Sequence, residues 1–81
     1  MITVYSKSQC PNCDRAKDLL TRRGVSYQEI NIEVDEEART FLVNKGYRSV
    51  PQIDVDGVFL AGGLAGLAQQ GEDFFKVHAG G

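Results

Sequence analysis

The chain has 81 residues, of which 42% are hydrophobic and 25% are charged, and its net charge is −2. This composition is ordinary for a globular protein of one domain, so we expect residues 1–81 to fold as a single unit. The nine Lys and Arg residues are scattered, which excludes the clustered basic surface that nucleic-acid binding requires. No secretory leader pattern and no apolar stretch of membrane length is present, so we expect a cytoplasmic protein without a membrane partner.

The first three predicted elements form a strand–helix–strand unit. Residues 1–5 alternate with period two, which predicts a short strand. Pro11 suits the first position of a helix, and apolar residues recur at helical spacing after it, so we predict a helix over residues 11–23. The segment 25–32 is rich in β-favouring residues and predicts a second strand, although its alternation slips at Glu29. A crossover of this kind places the two strands parallel in one sheet.

The second half of the chain predicts four further elements and a tail. They are a helix over 35–45 that ends at Gly46, a strand over 50–55, a strand over 58–60 and a short helix over 64–70. Asp56-Gly57 is a two-residue turn signal, so the last two strands should form an antiparallel hairpin. Three apolar residues of the tail are expected to dock on the sheet: Phe74, Phe75 and Val77. Residues 79–81 are expected to form a floppy end.

Two thiols, Cys10 and Cys13, stand three residues apart at the start of the first predicted helix. Residues i and i+3 of a helix lie about 5–6 Å apart at Cβ, so a small adjustment closes a disulfide between them. A zinc site needs four ligands, and the chain offers only these two cysteines and His78. A disulfide that closes so small a loop adds little stability. The pair therefore favours redox catalysis over two alternatives, a metal site shared between chains and an inert disulfide.

The two cysteines are expected to have different roles. Cys10 would lie at the helix N-terminus, where free N–H groups and the helix dipole favour a thiolate, and Lys7 adds a cation in the preceding loop. Cys13 would lie inside the first turn and be more enclosed. We therefore expect Cys10 to attack a disulfide and Cys13 to resolve the mixed disulfide that forms.

Three sequence blocks resemble the glutaredoxin family, and they occur in the family's order. They are CPNCDRAK at 10–17, SVPQI at 49–53 and the glycine pair at 62–63. The resemblance implies an α/β protein with a thioredoxin-like fold, in the order β-α-β-α-β-β-α, whose four-stranded mixed sheet is flanked by helices. It also implies a thiol–disulfide oxidoreductase that uses glutathione as a co-substrate and has no tightly bound cofactor and no metal ligands.

The same resemblance implies the positions of the substrate contacts. The Val50–Pro51 peptide bond would be cis and face the cysteines, which would leave the backbone of Val50 free to pair with an extended cysteinyl peptide. The glycine pair would offer backbone N–H donors to an anionic group. The residues expected to contact glutathione or another substrate are Lys7, Asn12, Val50, Pro51, Gly63 and Leu64.

The chain departs from the family's typical pattern at two places. Asn12 stands where dithiol members have Tyr, and Leu64-Ala65-Gly66 stands where many members carry a polar or acidic residue that holds the γ-glutamyl end of glutathione. The main hypothesis is a monomer that takes electrons from glutathione and reduces protein disulfides and glutathione mixed disulfides, with ribonucleotide reductase as a candidate client. The first alternative is a redoxin that takes electrons from thioredoxin reductase and feeds ribonucleotide reductase. The second alternative is a dimer that bridges an iron–sulfur cluster through the Cys10 thiolates.

Overall fold

The first half of the chain folds as a parallel strand–helix–strand unit in a computed structural model that describes residues 1–78. The unit consists of β1 (Ile2–Ser6), α1 (Pro11–Arg22) and β2 (Tyr27–Asn31). Strand β2 runs parallel to β1, with Ser6 opposite Asn31 at the end of the ladder. The predicted parallel pairing is therefore confirmed, and β2 is shorter than predicted at both ends.

The second half completes a mixed four-stranded sheet. Its elements are α2 (Glu36–Asn44), β3 (Gln52–Val55), β4 (Val58–Phe59), α3 (Leu64–Ala68) and α4 (Glu72–His78). The strand order is β2-β1-β3-β4, and β3 is antiparallel to both β1 and β4. The order of elements implied by the family resemblance is confirmed, with one helix added at the end.

Helices cover both faces of the sheet. Against one face, buried residues of α1, α3 and α4 pack on the strands in a cluster of Ile2, Val4, Ala16, Leu20, Val25, Ile53, Leu67 and Phe75. Against the other face, Ala38 and Leu42 of α2 pack near Tyr5. Within residues 1–78, no helix has the length and apolar character needed to cross a membrane.

The sheet order brings three loops to one edge. The carboxyl ends of the parallel strands β1 and β2 lie at the same edge, and β3 begins there because Gln52 pairs with Tyr5. The loop from β1 to α1, the loop after β2 and the loop before β3 therefore meet.

The tail forms the helix α4, an element that the sequence analysis did not predict. Of the three residues expected to dock, Phe75 is buried, Phe74 packs partly against the same core and Val77 is exposed. The guanidinium of Arg23 lies 4.7 Å from the centre of the Phe75 ring. The predicted floppy end, 79–81, lies outside the described residues.

A polar network ties α1 to the parallel strands. The carboxylate of Glu29 accepts hydrogen bonds from the Ser6 hydroxyl at 2.7 Å and from the Lys17 ammonium at 2.8 Å. Both bonds lower the pKa of Glu29 below its ordinary value, and the bond from Lys17 has the larger effect. The same bond to Glu29 raises the pKa of Lys17. Glu29, at which the predicted alternation slips, is thus held at an edge strand by a network rather than by the apolar core.

We expect Glu29→Gln to lower the free energy of unfolding by roughly 0.5–1 kcal/mol at pH 7, because Glu29 is partly exposed and solvent screens the pair. The pKa of Glu29 is depressed on folding, so its contribution is present above the ordinary value of 4.5 and is lost as pH falls through the folded-state value. The raised pKa of Lys17 means that its contribution is lost only at alkaline pH, above 10.5. Urea titrations at pH 3 to 7 measure this dependence.

The matched control for this change is Asp18→Asn, which breaks the exposed ion pair between Asp18 and Arg22 at 3.0 Å on α1. That pair joins two residues of one helix, so its loss should cost less than about 0.5 kcal/mol. Equal losses for the two variants, with the same dependence on pH, would show that the Glu29 network adds nothing beyond an ordinary surface pair.

Candidate active site

The two cysteines form a disulfide at the N-terminus of α1. Cys10 is the N-cap residue, Pro11 is the first helical residue, and the Cα atoms of Cys10 and Cys13 are 5.2 Å apart. The backbone N–H of Cys13 donates a hydrogen bond to the Cys10 Sγ at 3.2 Å. After reduction, this donor and the positive end of the helix dipole are placed to stabilise a thiolate on Cys10.

The two sulfurs differ in access. Both cysteines are largely buried, but Cys10 keeps 7% of its surface exposed and lines a surface groove, whereas Cys13 is 0% exposed. An attacking thiolate or a substrate disulfide can therefore reach the pair only from the side of Cys10. This asymmetry agrees with an attacking Cys10 and a resolving Cys13.

A groove of about 480 Å³ opens beside Cys10, and we call it the Cys10 groove. Its walls come from the β1–α1 loop, the start of α1 and the loops that follow β2 and precede β3. It is lined by Lys7, Gln9, Cys10, Pro11, Asn12, Ile32, Arg48, Ser49 and Val50. No carboxylate lies among these residues, so the groove suits an anionic or neutral ligand.

A second groove of about 440 Å³ continues on the other side of Asn12, and we call it the glycine groove. It shares Asn12, Ser49 and Val50 with the Cys10 groove and reaches the start of α3. It is lined by Asn12, Tyr47, Ser49, Val50, Pro51, Gln52, Gly62, Gly63 and Leu64. The six residues expected to contact substrate all line one groove or both, and of the two cysteines only Cys10 does.

The Val50–Pro51 bond is cis, as the family resemblance implies. Gly63 packs directly on the Val50–Pro51 segment, which we call the proline loop. A Cβ built on Gly63 would lie 2.5 Å from the Pro51 carbonyl oxygen. Gly63 also has φ = +54°, a region that side chains disfavour. Only glycine therefore lets α3 approach the proline loop this closely.

Hydrogen bonds hold the loop between β1 and α1. The Ser8 N–H donates to the Glu33 Oε1 at 2.7 Å, and the Asn31 amide donates to the Ser8 hydroxyl at 3.3 Å. The bond from Ser8 lowers the pKa of Glu33, and the charge of Lys7 adds a smaller effect in the same direction. The loop that carries Lys7 to the groove is thus tied to the loop after β2.

Besides Pro11, which was expected to start α1, the Cys10 groove contains four residues that sequence reasoning did not select as substrate contacts: Gln9, Ile32, Arg48 and Ser49. Gln9 has a positive φ, which no local pattern indicates for a glutamine. Ile32 reaches the groove only because β2 lies beside β1. Ser49 is the first residue of the matched block at 49–53, and the Gln52 side chain donates a hydrogen bond to its carbonyl oxygen at 2.9 Å, so that block was the one available signal.

The described part of the chain contains no cluster of side chains suited to bind a metal ion. Among residues 1–78, no three side chains of His, Cys, Asp or Glu come together as metal ligands would. A site shared between two chains would have to draw its ligands from both.

A sheet of this order with a disulfide at the head of its first helix defines a thiol–disulfide exchange protein of the thioredoxin fold. Comparison with known proteins narrows this class. The sequence model of the glutaredoxin family matches residues 2–60. The chain belongs to the glutaredoxin family, and it is a thiol–disulfide oxidoreductase.

Proteins named glutaredoxin and a protein named NrdH are both similar to this chain. Glutaredoxin 3 of Escherichia coli K12 is 39% identical over 62 residues, which are 75% of each chain. The glutaredoxin-like protein NrdH of Lactococcus lactis MG1363 is 34% identical over 62 residues, 76% of this chain and 86% of its own. The structure of the buckwheat glutaredoxin–glutathione complex superposes with a TM-score of 0.75 and 28% identity, covering 94% of this chain and 72% of the buckwheat chain.

Proposed function

We propose that this chain is a glutathione-linked reductase of protein disulfides and glutathione mixed disulfides. The observation that carries the proposal is that Cys10, alone of the two cysteines, opens on the Cys10 groove, and that neither this groove nor the adjoining glycine groove contains a carboxylate. Glutathione brings a thiol and two carboxylates, so its charge suits these walls. The buckwheat relative with a similar fold is known as a complex with glutathione.

The proposed cycle uses the two sulfurs in sequence. The Cys10 thiolate attacks one sulfur of the client disulfide, a new S–S bond forms, and the other client sulfur leaves as a thiolate that takes up a proton. The Cys13 thiolate then attacks the Cys10 Sγ, which forms the Cys10–Cys13 disulfide and releases the reduced client. Two molecules of glutathione supply the two electrons that restore the dithiol, and they leave as oxidised glutathione.

The groove residues hold the partner disulfide in this cycle. The exposed ammonium of Lys7 attracts a carboxylate of the ligand, and the backbone of Val50, next to Pro51, pairs with the ligand's cysteinyl residue. Asn12 lines both grooves, so it contacts the ligand at the point where the two grooves meet. At the far end, Gly63 and Leu64 form the wall that faces the other end of glutathione.

A second candidate is a redoxin that receives electrons from thioredoxin reductase. One observation favours it: Leu64-Ala65-Gly66 carries no side chain that could hold the γ-glutamyl end of glutathione. The 34% identity to a protein named NrdH is compatible with this candidate. In either case we propose a monomer in the reducing cytoplasm, with ribonucleotide reductase among its clients.

The deciding experiment measures reduction of a glutathione mixed disulfide with NADPH, glutathione reductase and glutathione as the electron source. We expect sustained NADPH oxidation that depends on the protein's concentration. The parallel assay replaces glutathione and its reductase with thioredoxin reductase and uses a protein disulfide as substrate. Turnover only in the parallel assay would reject glutathione linkage and establish the redoxin, whereas turnover in neither, with both thiols intact, would reject both candidates.

A further inference from the structure

A third groove leads from the active site towards α2. It measures about 240 Å³, we call it the α2 groove, and it is lined by Ile32, Arg39, Leu42, Val43, Tyr47, Arg48 and Ser49. It shares Ile32, Arg48 and Ser49 with the Cys10 groove. The surface is therefore continuous from Cys10 to the side of α2, and the α2 groove also shares Tyr47 and Ser49 with the glycine groove.

The charge of this surface is opposite to that of the whole chain. The chain has 11 acidic and 9 basic residues, yet no carboxylate lines either the Cys10 groove or the α2 groove. The cations there are Lys7, Arg39 and Arg48. Neither guanidinium forms an ion pair with any of residues 1–78. Two arginines without internal partners, beside an anion-poor groove, are complementary to an acidic ligand.

The floor of the α2 groove is apolar. Leu42 is buried at its base, Ile32 and Tyr47 are half-buried, and Val43 is 53% exposed. An extended peptide presents successive side chains on opposite sides, so one that alternates acidic and apolar residues can place its apolar side chains on this floor. Its acidic side chains then reach Arg39 and Arg48 at the rim.

We propose that the α2 groove binds the segment of a client protein that flanks the cysteine bonded to Cys10, and that it selects acidic segments with interspersed apolar residues. The inference rests on the proposed function, because the flanking segment reaches the groove only while its cysteine exchanges with Cys10. It adds a specificity determinant, Arg39, which does not line the Cys10 groove and touches no reacting atom. In the exchange, the Cys10 thiolate attacks the client disulfide, which bonds one client cysteine to Cys10 and releases the other client sulfur as a thiolate. Attack by Cys13 on the Cys10 sulfur then completes the two-electron reduction.

The test uses the fully reduced protein in single turnovers, so that no electron source enters the result. Two synthetic peptides carry the same internal disulfide, flanked on both sides by Glu-Val-Glu in one and by Lys-Val-Lys in the other. Acid quenching, alkylation and mass analysis measure the rate of peptide reduction. At low salt we expect the acidic peptide to react about fivefold faster, and we expect this preference to shrink as salt screens the exposed charges.

Two variants assign the preference to the groove. Arg39→Gln should lower the rate with the acidic peptide about threefold and leave the rate with hydroxyethyl disulfide unchanged. Lys45→Gln is the matched control, because it removes one positive charge from the other end of α2, outside the groove. It should leave the peptide preference intact.

Several results would overturn the inference while the proposed function stands. One is an equal rate for the two peptides, and another is an equal effect of Arg39→Gln and Lys45→Gln. A third is that Arg39→Gln lowers turnover of a glutathione mixed disulfide as much as it lowers the rate with the acidic peptide, which would make the groove a glutathione site. If a second copy of this chain occupied the groove, the rate of peptide reduction per molecule would fall as the protein concentration rises, and Arg39→Gln would restore it. Failure to reduce either peptide or hydroxyethyl disulfide would instead reject the proposed function itself.

Discussion

Cys10→Ser is expected to abolish disulfide reduction, with a loss of at least about 1000-fold in turnover of a glutathione mixed disulfide. Cys10 is the sulfur that lies on the groove, and the buried Cys13 cannot replace it as nucleophile because no substrate reaches it. Serine is a good N-cap residue, so α1 should keep its start and the variant should stay folded. Thermal unfolding monitored by circular dichroism checks the fold, and the coupled NADPH assay measures the turnover.

The matched variant is Cys13→Ser, which keeps the attacking sulfur and removes the resolving one. A mixed disulfide between Cys10 and a client protein should then accumulate. The Cα atoms of Cys10 and Cys13 are 5.2 Å apart, and the variant has no thiol at position 13 to resolve the mixed disulfide. Reduction of a glutathione mixed disulfide should continue, since glutathione itself can resolve it. Mass spectrometry of the trapped adduct measures this outcome, and retention of activity by Cys10→Ser with loss by Cys13→Ser would reverse the assigned roles.

Gly63→Ala is expected to lower the free energy of unfolding by about 3 kcal/mol, a large part of the roughly 5–15 kcal/mol that a small domain has. The added Cβ would meet the Pro51 carbonyl oxygen at 2.5 Å, and φ = +54° is unfavourable for alanine. Relief of this contact requires movement of the backbone beside Val50, which lines both grooves. Turnover should therefore fall even at temperatures where the variant is fully folded.

The control for this substitution is Gly71→Ala. A Cβ at Gly71 meets nothing within 4 Å, so the free energy of unfolding should change by less than about 0.5 kcal/mol and turnover should not change. Urea unfolding and the coupled assay on both variants provide the comparison. A Gly63→Ala protein as stable and as active as wild type would show that the proline loop has room to yield.

Most element boundaries were predictable because they depend on neighbouring residues. Pro11 begins α1 as predicted, Gly46 follows the end of α2 in a left-handed conformation, and Asp56 and Gly57 both have the positive φ of a tight hairpin turn. The helix α4 was not predictable in the same way. Its seven residues are too few for local propensity to stabilise a helix, and the burial of Phe75 against the other elements holds it.

The sequence by itself determined the chemistry of this protein, because two cysteines three residues apart at a helix start are a local arrangement that needs no distant partner. It also determined the family, through three ordered blocks of residues. The position of each cysteine in the helix already predicted that Cys13 is the more enclosed sulfur, but only the tertiary structure decided which residues surround Cys10. Ile32, Arg39 and Ser49 come from distant parts of the chain, and they line one groove that adjoins the Cys10 groove because the strand order brings the ends of β1 and β2 and the start of β3 to one edge. Long-range strand pairing sets that order, and no local pattern contains it.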